Sequence, residues 1–206
     1  MPETKADIIL SKVLNDLNIE KKSPGEKFKH VYKIFPKLDK LNQEEKFSVS
    51  TTGTITERIC EWALLDALPG GYFRLTSNDD KWLGDYCLLG TPFNIVISVK
   101  SYKVKERLLV SGSGSLLVPT IGWGLMDDPN EFKYERLKNY LYRGFIAIYM
   151  PKYTLDKIEK DSKALLNTHK QKFIRPIEDL VKDIKSASQK KKFGDRNLSV
   201  VDPKIF

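Results

Sequence analysis

The chain has 206 residues, 41% hydrophobic and 30% charged, with a formal net charge of +8 and a pI of about 9.3. That is enough apolar material for one substantial core, and the excess of lysine and arginine predicts an anionic partner such as nucleic acid. No stretch approaches the roughly 18 consecutive apolar residues of a membrane span. The start Met1-Pro2-Glu3-Thr4-Lys5 lacks the apolar segment of a secretory signal, and two cysteines, Cys60 and Cys87, are too few for a disulfide framework. A cytoplasmic protein with no membrane partner and with buried, inert thiols is expected.

Residues 1–50 read as helical, an accessory or dimerisation region. Leu10, Val13, Leu14 and Leu17 recur at helical spacing. Ser23-Pro24-Gly25-Glu26 supplies an N-cap, a first-turn proline and a capping-box acid ahead of Phe28, Val31, Tyr32 and Phe35, and Pro36 is expected to end that helix. The next helix is predicted from about Ile55 to Leu68, with Thr54 and Glu57 at capping-box spacing, and Pro69-Gly70-Gly71 stops it. Strands are predicted at Tyr72 to Thr76, Leu83 to Leu89 and Phe93 to Tyr102. A long connection follows, residues 104–130, with Ser111-Gly112-Ser113-Gly114-Ser115 and Pro119-Thr120-Ile121-Gly122-Trp123-Gly124. Loops of this length in small domains are usually functional or disordered. Glu131 to Tyr142 has helical spacing, Asp127-Asp128-Pro129 caps it, and Gly144 to Met150 reads as a buried strand closed by Pro151. Residues 153–206 read as two helices, one through Leu155, Ile158, Leu165 and Leu166 and one starting at Pro176, then a polar basic tail with Lys190-Lys191-Lys192 and Arg196.

The segment from Gly84 to Lys103 carries the chemistry. Asp85 lies on one short strand, a turn at Gly90-Thr91-Pro92 follows, and Phe93-Asn94-Ile95-Val96-Ile97-Ser98-Val99-Lys100 forms the next. Side chains alternate along a strand, so Ser98 and Lys100 share one face while Ile95, Ile97 and Val99 share the other. A carboxylate, a hydroxyl and an ammonium therefore fall together.

This arrangement resembles the PD-(D/E)xK nuclease superfamily, whose signature is an acid, a spacer, then acid-x-lysine. Gly84-Asp85 stands in place of Pro-Asp, and Ser98-Val99-Lys100 in place of Glu-x-Lys, so the strand acid is missing. Some restriction endonucleases with serine there supply the acid from a helix. Gly53-Thr54-Ile55-Thr56-Glu57-Arg58 resembles the G-x-x-x-E-R start of the first helix in archaeal Holliday-junction resolvases, which makes Glu57 the candidate for the displaced carboxylate. Glu61, one turn later, is in reserve, and Glu106 is a more distant option.

The resemblance implies an α/β (α+β) fold: a restriction-endonuclease-like αβββαβ core over residues 51–152, with a central mixed sheet flanked by helices and helical N-terminal and C-terminal additions. It further implies Mg2+ held by Asp85, Glu57 and the backbone carbonyl of Val99, since a hard cation takes oxygen ligands. Lys100 would orient or deprotonate the attacking water and neutralise transition-state charge, and Ser98 would add a hydroxyl. The connection 104–130 is expected to be a DNA-recognition loop, with Ser111, Ser113, Ser115 and Trp123 reading the duplex and Lys103, Lys105 and Arg107 at its entrance. The expected function is a type II restriction endonuclease, cutting double-stranded DNA sequence-specifically as a homodimer. The alternatives are a structure-selective nuclease such as a Holliday-junction resolvase, or a noncatalytic DNA-binding protein on the same fold.

Overall fold

Ile95, Val96, Ile97 and Val99 favour an extended backbone and a buried setting, and they form the central strand of the molecule. A computed structural model describes residues 4–77, 82–102 and 118–206. In it, β1 (Tyr72–Arg74), β2 (Tyr86–Leu88) and β3 (Ile95–Ser101) make an antiparallel meander. Beyond β3 the sheet turns parallel through β4 (Thr120–Leu125), β5 (Phe145–Met150) and β6 (Ile174–Pro176), so spatial order follows chain order across six strands. Every residue of β4 and β5 is buried, as expected of parallel strands covered on both faces.

Helix α4 (Val49–Ala67) is long enough to cross the sheet and lays Ile55, Ile59, Cys60, Ala63 and Leu64 in one core with Tyr86, Leu88, Ile97 and Val99. The same core takes in buried residues of α1 (Lys5–Asp16), α2 (Pro24–Phe28) and α3 (Val31–Glu45). On the other side, Leu137 and Tyr140 of α5 (Tyr134–Tyr142) pack with Ile148 and Met150. No helix among the described residues is long and apolar enough to cross a membrane.

Several expectations need correction. The segment from Thr120 to Leu125 is not part of a loop but a central strand, because β3 and β4 are parallel and a parallel pair needs a crossover of a dozen or more residues. Trp123 on it is fully buried, its ring 6.2 Å from Phe28 and 6.1 Å from Phe35, and so cannot touch DNA. Helix α4 begins earlier than Ile55, since the Ser48 hydroxyl accepts the Thr51 N–H at 3.1 Å; the Thr54–Glu57 capping box does not form, and Glu57 sits inside the helix. Pro36 lies within α3 at the cost of one intrahelical bond, and the break falls instead at Lys29 and His30, where α2 ends.

The helix expected from Glu131 is a 3-10 turn at Pro129–Phe132 followed by α5, with Asp128 capping the turn. The helix expected through Leu155 to Leu166 is two short pieces, α6 (Lys152–Leu155) and α7 (Lys160–Ala164). Pro176 closes β6; a 3-10 turn at Ile177–Asp179 then leads into α8 (Leu180–Ala187). The basic tail is a hairpin, β7 (Ser188–Phe193) and β8 (Arg196–Val201).

Candidate active site

The antiparallel ladder between β2 and β3 ends at Asp85. Its N–H donates to the Ile97 carbonyl at 2.8 Å, and beyond that point the strands part. The next inward-facing donor on β3, the Val99 N–H, is taken by Oδ2 of Asp85 at 2.6 Å. Asp85 thus stops the ladder and holds the fork open. Gly84 before it is required by close approach, since a Cβ there would lie 2.3 Å from Cγ1 of Val96 and 2.8 Å from the Ile97 carbonyl oxygen.

Lys100 closes the group. Its Nζ lies 3.1 Å from the Val99 carbonyl oxygen and 3.7 Å from Oδ2 of Asp85, and the side chain is only 11% exposed. Ser98, fully buried, follows the strand alternation onto the same side as Lys100. The neighbouring strand β4 offers Gly122 opposite Ser98 and Gly124 opposite Lys100, so no side chain from it crowds them. Just past β3, the Tyr102 N–H donates to the Leu125 carbonyl at 2.6 Å and its hydroxyl to Oδ1 of Asp39 at 2.7 Å. Asp39 also accepts from Tyr153 at 2.9 Å; burial raises its pKa, and the two phenol hydrogen bonds oppose the rise. The exit of the strand is therefore tied to α3 and α6.

Glu57 comes from α4. Its carboxylate is paired with Arg74 of β1, and its own carbonyl accepts the Tyr86 hydroxyl at 3.0 Å, which pins this turn of the helix to β2. Arg74 was not foreseen; its signal in the sequence is only a basic residue on a strand of three. Glu57, Glu61 and Asp85 share a neighbourhood at Cys60, whose thiol is pushed well up by burial and then by the negative field of Asp85, Glu57 and Glu61. They do not close into a ready-made cage: among the described residues no three His, Cys, Asp or Glu side chains are grouped for a metal ion. Lys103, Lys105, Glu106, Arg107, Ser111, Ser113 and Ser115 lie outside the described residues.

Burial also pushes the Cys87 thiol up to about 11, so both cysteines are protonated near neutral pH. Thiolate, not thiol, is alkylated. Iodoacetamide at neutral pH is expected to leave Cys60 and Cys87 unmodified in the native protein and to label both after unfolding, as read by mass spectrometry. Native labelling at Cys60 would contradict its position under α4.

A mixed six-stranded sheet between helices, with an acid at a strand fork and a lysine on the adjoining strand, has the architecture of the restriction-endonuclease fold. No family model and no curated protein matches the chain. Among solved structures it is similar to one described as the restriction endonuclease PspGI–substrate DNA complex, at 13% sequence identity and a TM-score of 0.54, over 88% of this chain and 92% of that one.

Proposed function

We propose that this protein is a metal-dependent endonuclease that cuts double-stranded DNA, of the type II restriction kind. The observation that carries the reading is the convergence of the Asp85 carboxylate, the Val99 carbonyl and the Lys100 ammonium at the fork between β2 and β3. The likeness of fold to an endonuclease described with its substrate DNA supports it, as does the net charge of +8.

The donor set fits a hard divalent cation. Two oxygens, Oδ2 of Asp85 and the carbonyl of Val99, already face one cation, the ammonium of Lys100. Asp85 and Val99 would hold Mg2+, with Glu57 as the third oxygen ligand once its carboxylate is released from Arg74. Bound there, Mg2+ supplies a hydroxide near neutral pH and charge stabilisation at a phosphoryl oxygen. Lys100, freed from those two oxygens, points its ammonium at the scissile phosphate, where it orients the attacking water and offsets the charge that grows on the phosphoryl oxygens. Ser98 offers a hydroxyl on the same side. The surrounding apolar core keeps water from the back of the site, which strengthens each of these interactions.

Incubation of the protein with phage or plasmid DNA, with and without Mg2+, tests the proposal. Discrete Mg2+-dependent fragments are expected. Glu57→Gln is expected to lower the rate about tenfold and to raise the Mg2+ needed for half-maximal cutting, because one of the oxygen ligands is weakened while Asp85 and Val99 remain; if Glu61→Gln does this and Glu57→Gln does not, Glu61 is the ligand. A second reading, a noncatalytic DNA-binding protein, is favoured by the missing strand acid at Ser98 and the absence of a grouped acid cluster among the described residues. Duplex binding with no cleavage of any substrate, four-way junctions included, would select it.

A further inference from the structure

The basic residues after Lys185 are built into a rigid ribbon. Register pairs Lys190 with Ser199, Lys191 with Leu198 and Lys192 with Asn197, and Gly194, with φ of +57°, makes the tight reversal between Phe193 and Arg196. The root is fixed. The Val201 N–H donates to the Leu89 carbonyl at 2.8 Å, the Thr91 N–H donates to the Val201 carbonyl at 3.0 Å, and Val200 and Val201 are buried. Gly71 lets the ribbon seat closely, since a Cβ there would lie 2.3 Å from the Ser199 carbonyl oxygen. Beyond that root, Lys190, Lys191, Lys192, Arg196 and Asn197 are all exposed. None of the four cations makes an ion pair among the described residues.

We infer that this ribbon is a second DNA-contact surface that grips the duplex backbone through its phosphates, independently of sequence and outside the cleavage site. Charge complementarity chooses the partner: four unpaired cations on one short ribbon match a polyanion whose charges lie close together. Shape agrees, because a two-stranded ribbon is narrow enough to enter the major groove. Place separates it from the candidate active site. The ribbon joins β2 at Leu89, the end opposite Asp85, about 13 Å along the strand at an antiparallel rise. A contact there therefore adds to those at the scissile phosphate instead of being one of them. The choice of DNA among polyanions rests on the nuclease reading.

Lysines on an exposed strand edge also discourage edge-to-edge aggregation, so the test must read phosphate contacts. Binding of a labelled random-sequence duplex is followed by fluorescence anisotropy in chelator, over a salt series, for the full chain and for a variant with Lys190→Gln, Lys191→Gln, Lys192→Gln and Arg196→Gln. Each lost phosphate contact removes about 0.9 from the slope of log K against log salt. The variant is expected to show a slope shallower by about 3, and affinity at low salt at least about tenfold weaker. Replacing the three lysines by arginine keeps the charge and should keep both values. A second variant, with Lys21, Lys22, Lys157 and Lys160 changed to Gln, removes the same net charge elsewhere and is expected to leave the slope nearly unchanged. An equal loss of slope in that variant, or an unchanged slope in the folded ribbon variant, overturns the ribbon while leaving the nuclease reading intact. No duplex binding by the unaltered protein overturns both.

Discussion

Asp85→Asn and Lys100→Ala are each expected to slow single-turnover DNA cleavage by at least about 10²-fold while leaving folding and duplex affinity in place, the scale on which loss of one transition-state charge contact is felt. The structure separates the two roles of Asp85. As a structural group it accepts the Val99 N–H at 2.6 Å, and the amide oxygen of asparagine can still do that. As a chemical group it brings a negative charge to the fork, and asparagine cannot. Stability in Asp85→Asn should therefore be near that of the unaltered protein, so that lost cleavage reports the lost charge. Lys100→Ala removes the other half. Its ammonium is held by a carbonyl and a carboxylate of its own surroundings, contacts it must exchange for phosphate and water during reaction, so it is a group whose use comes late and falls mostly on the rate of chemistry. Thermal unfolding and anisotropy with uncleaved duplex serve as the controls. A fully active Lys100→Ala protein would remove the mechanism.

What the sequence disclosed and what it hid divide along physical lines. The strand with Ser98 and Lys100 was legible because a period of two over seven residues admits one reading, and the Gly84-Asp85 pair was legible because it precedes it at family spacing. The mixed sheet flanked by helices follows from those elements and is what the structure has. β4 was hidden by its own glycines. Thr120-Ile121-Gly122-Trp123-Gly124-Leu125 alternates apolar residues with positions where no side chain is present, and glycine reads as loop when the reason for it is a neighbouring strand far away in sequence. The ribbon was hidden in the opposite way: Lys190-Lys191-Lys192 reads as solvated tail, and only the pairing with residues 196–201 shows that the charges are held in order. The start of α4 was misplaced because Thr54 and Glu57 copy a capping box that Ser48 pre-empts. For the site itself, Asp85, Lys100 and Ser98 could be named in advance, whereas the Arg74 partner of Glu57 depends on β1 lying against β2 and could not.

Gly124→Ala should cost about 3 kcal/mol of stability or more, at the upper end of what overpacking a core does, which for a chain of this size lowers Tm by roughly 6 to 12 °C. A Cβ at this position would lie 1.7 Å from the carbonyl oxygen of Lys100, 2.8 Å from its carbonyl carbon and 3.0 Å from its nitrogen. All three are backbone atoms of a buried central strand, so no rotamer change relieves the contact, and β3 must move away from β4. Residue 100 is the one displaced. Cleavage should therefore fall further than the loss of folded protein accounts for, by about 10²-fold in the still-folded fraction, since a misplacement of about 1 Å at a reacting group has that effect. Gly53→Ala makes the contrast. A Cβ there meets nothing within 4 Å, the position is inside α4, and alanine should raise stability by about 0.5 to 1 kcal/mol with cleavage unchanged. Differential scanning calorimetry with single-turnover cleavage reads both variants. The two glycines look alike in the sequence, each beside a residue of the candidate site; opposite signs of stability would show that Gly124 is there for the backbone of Lys100, and a Gly124→Ala protein as stable and active as its parent would mean that β3 and β4 do not approach as closely as described.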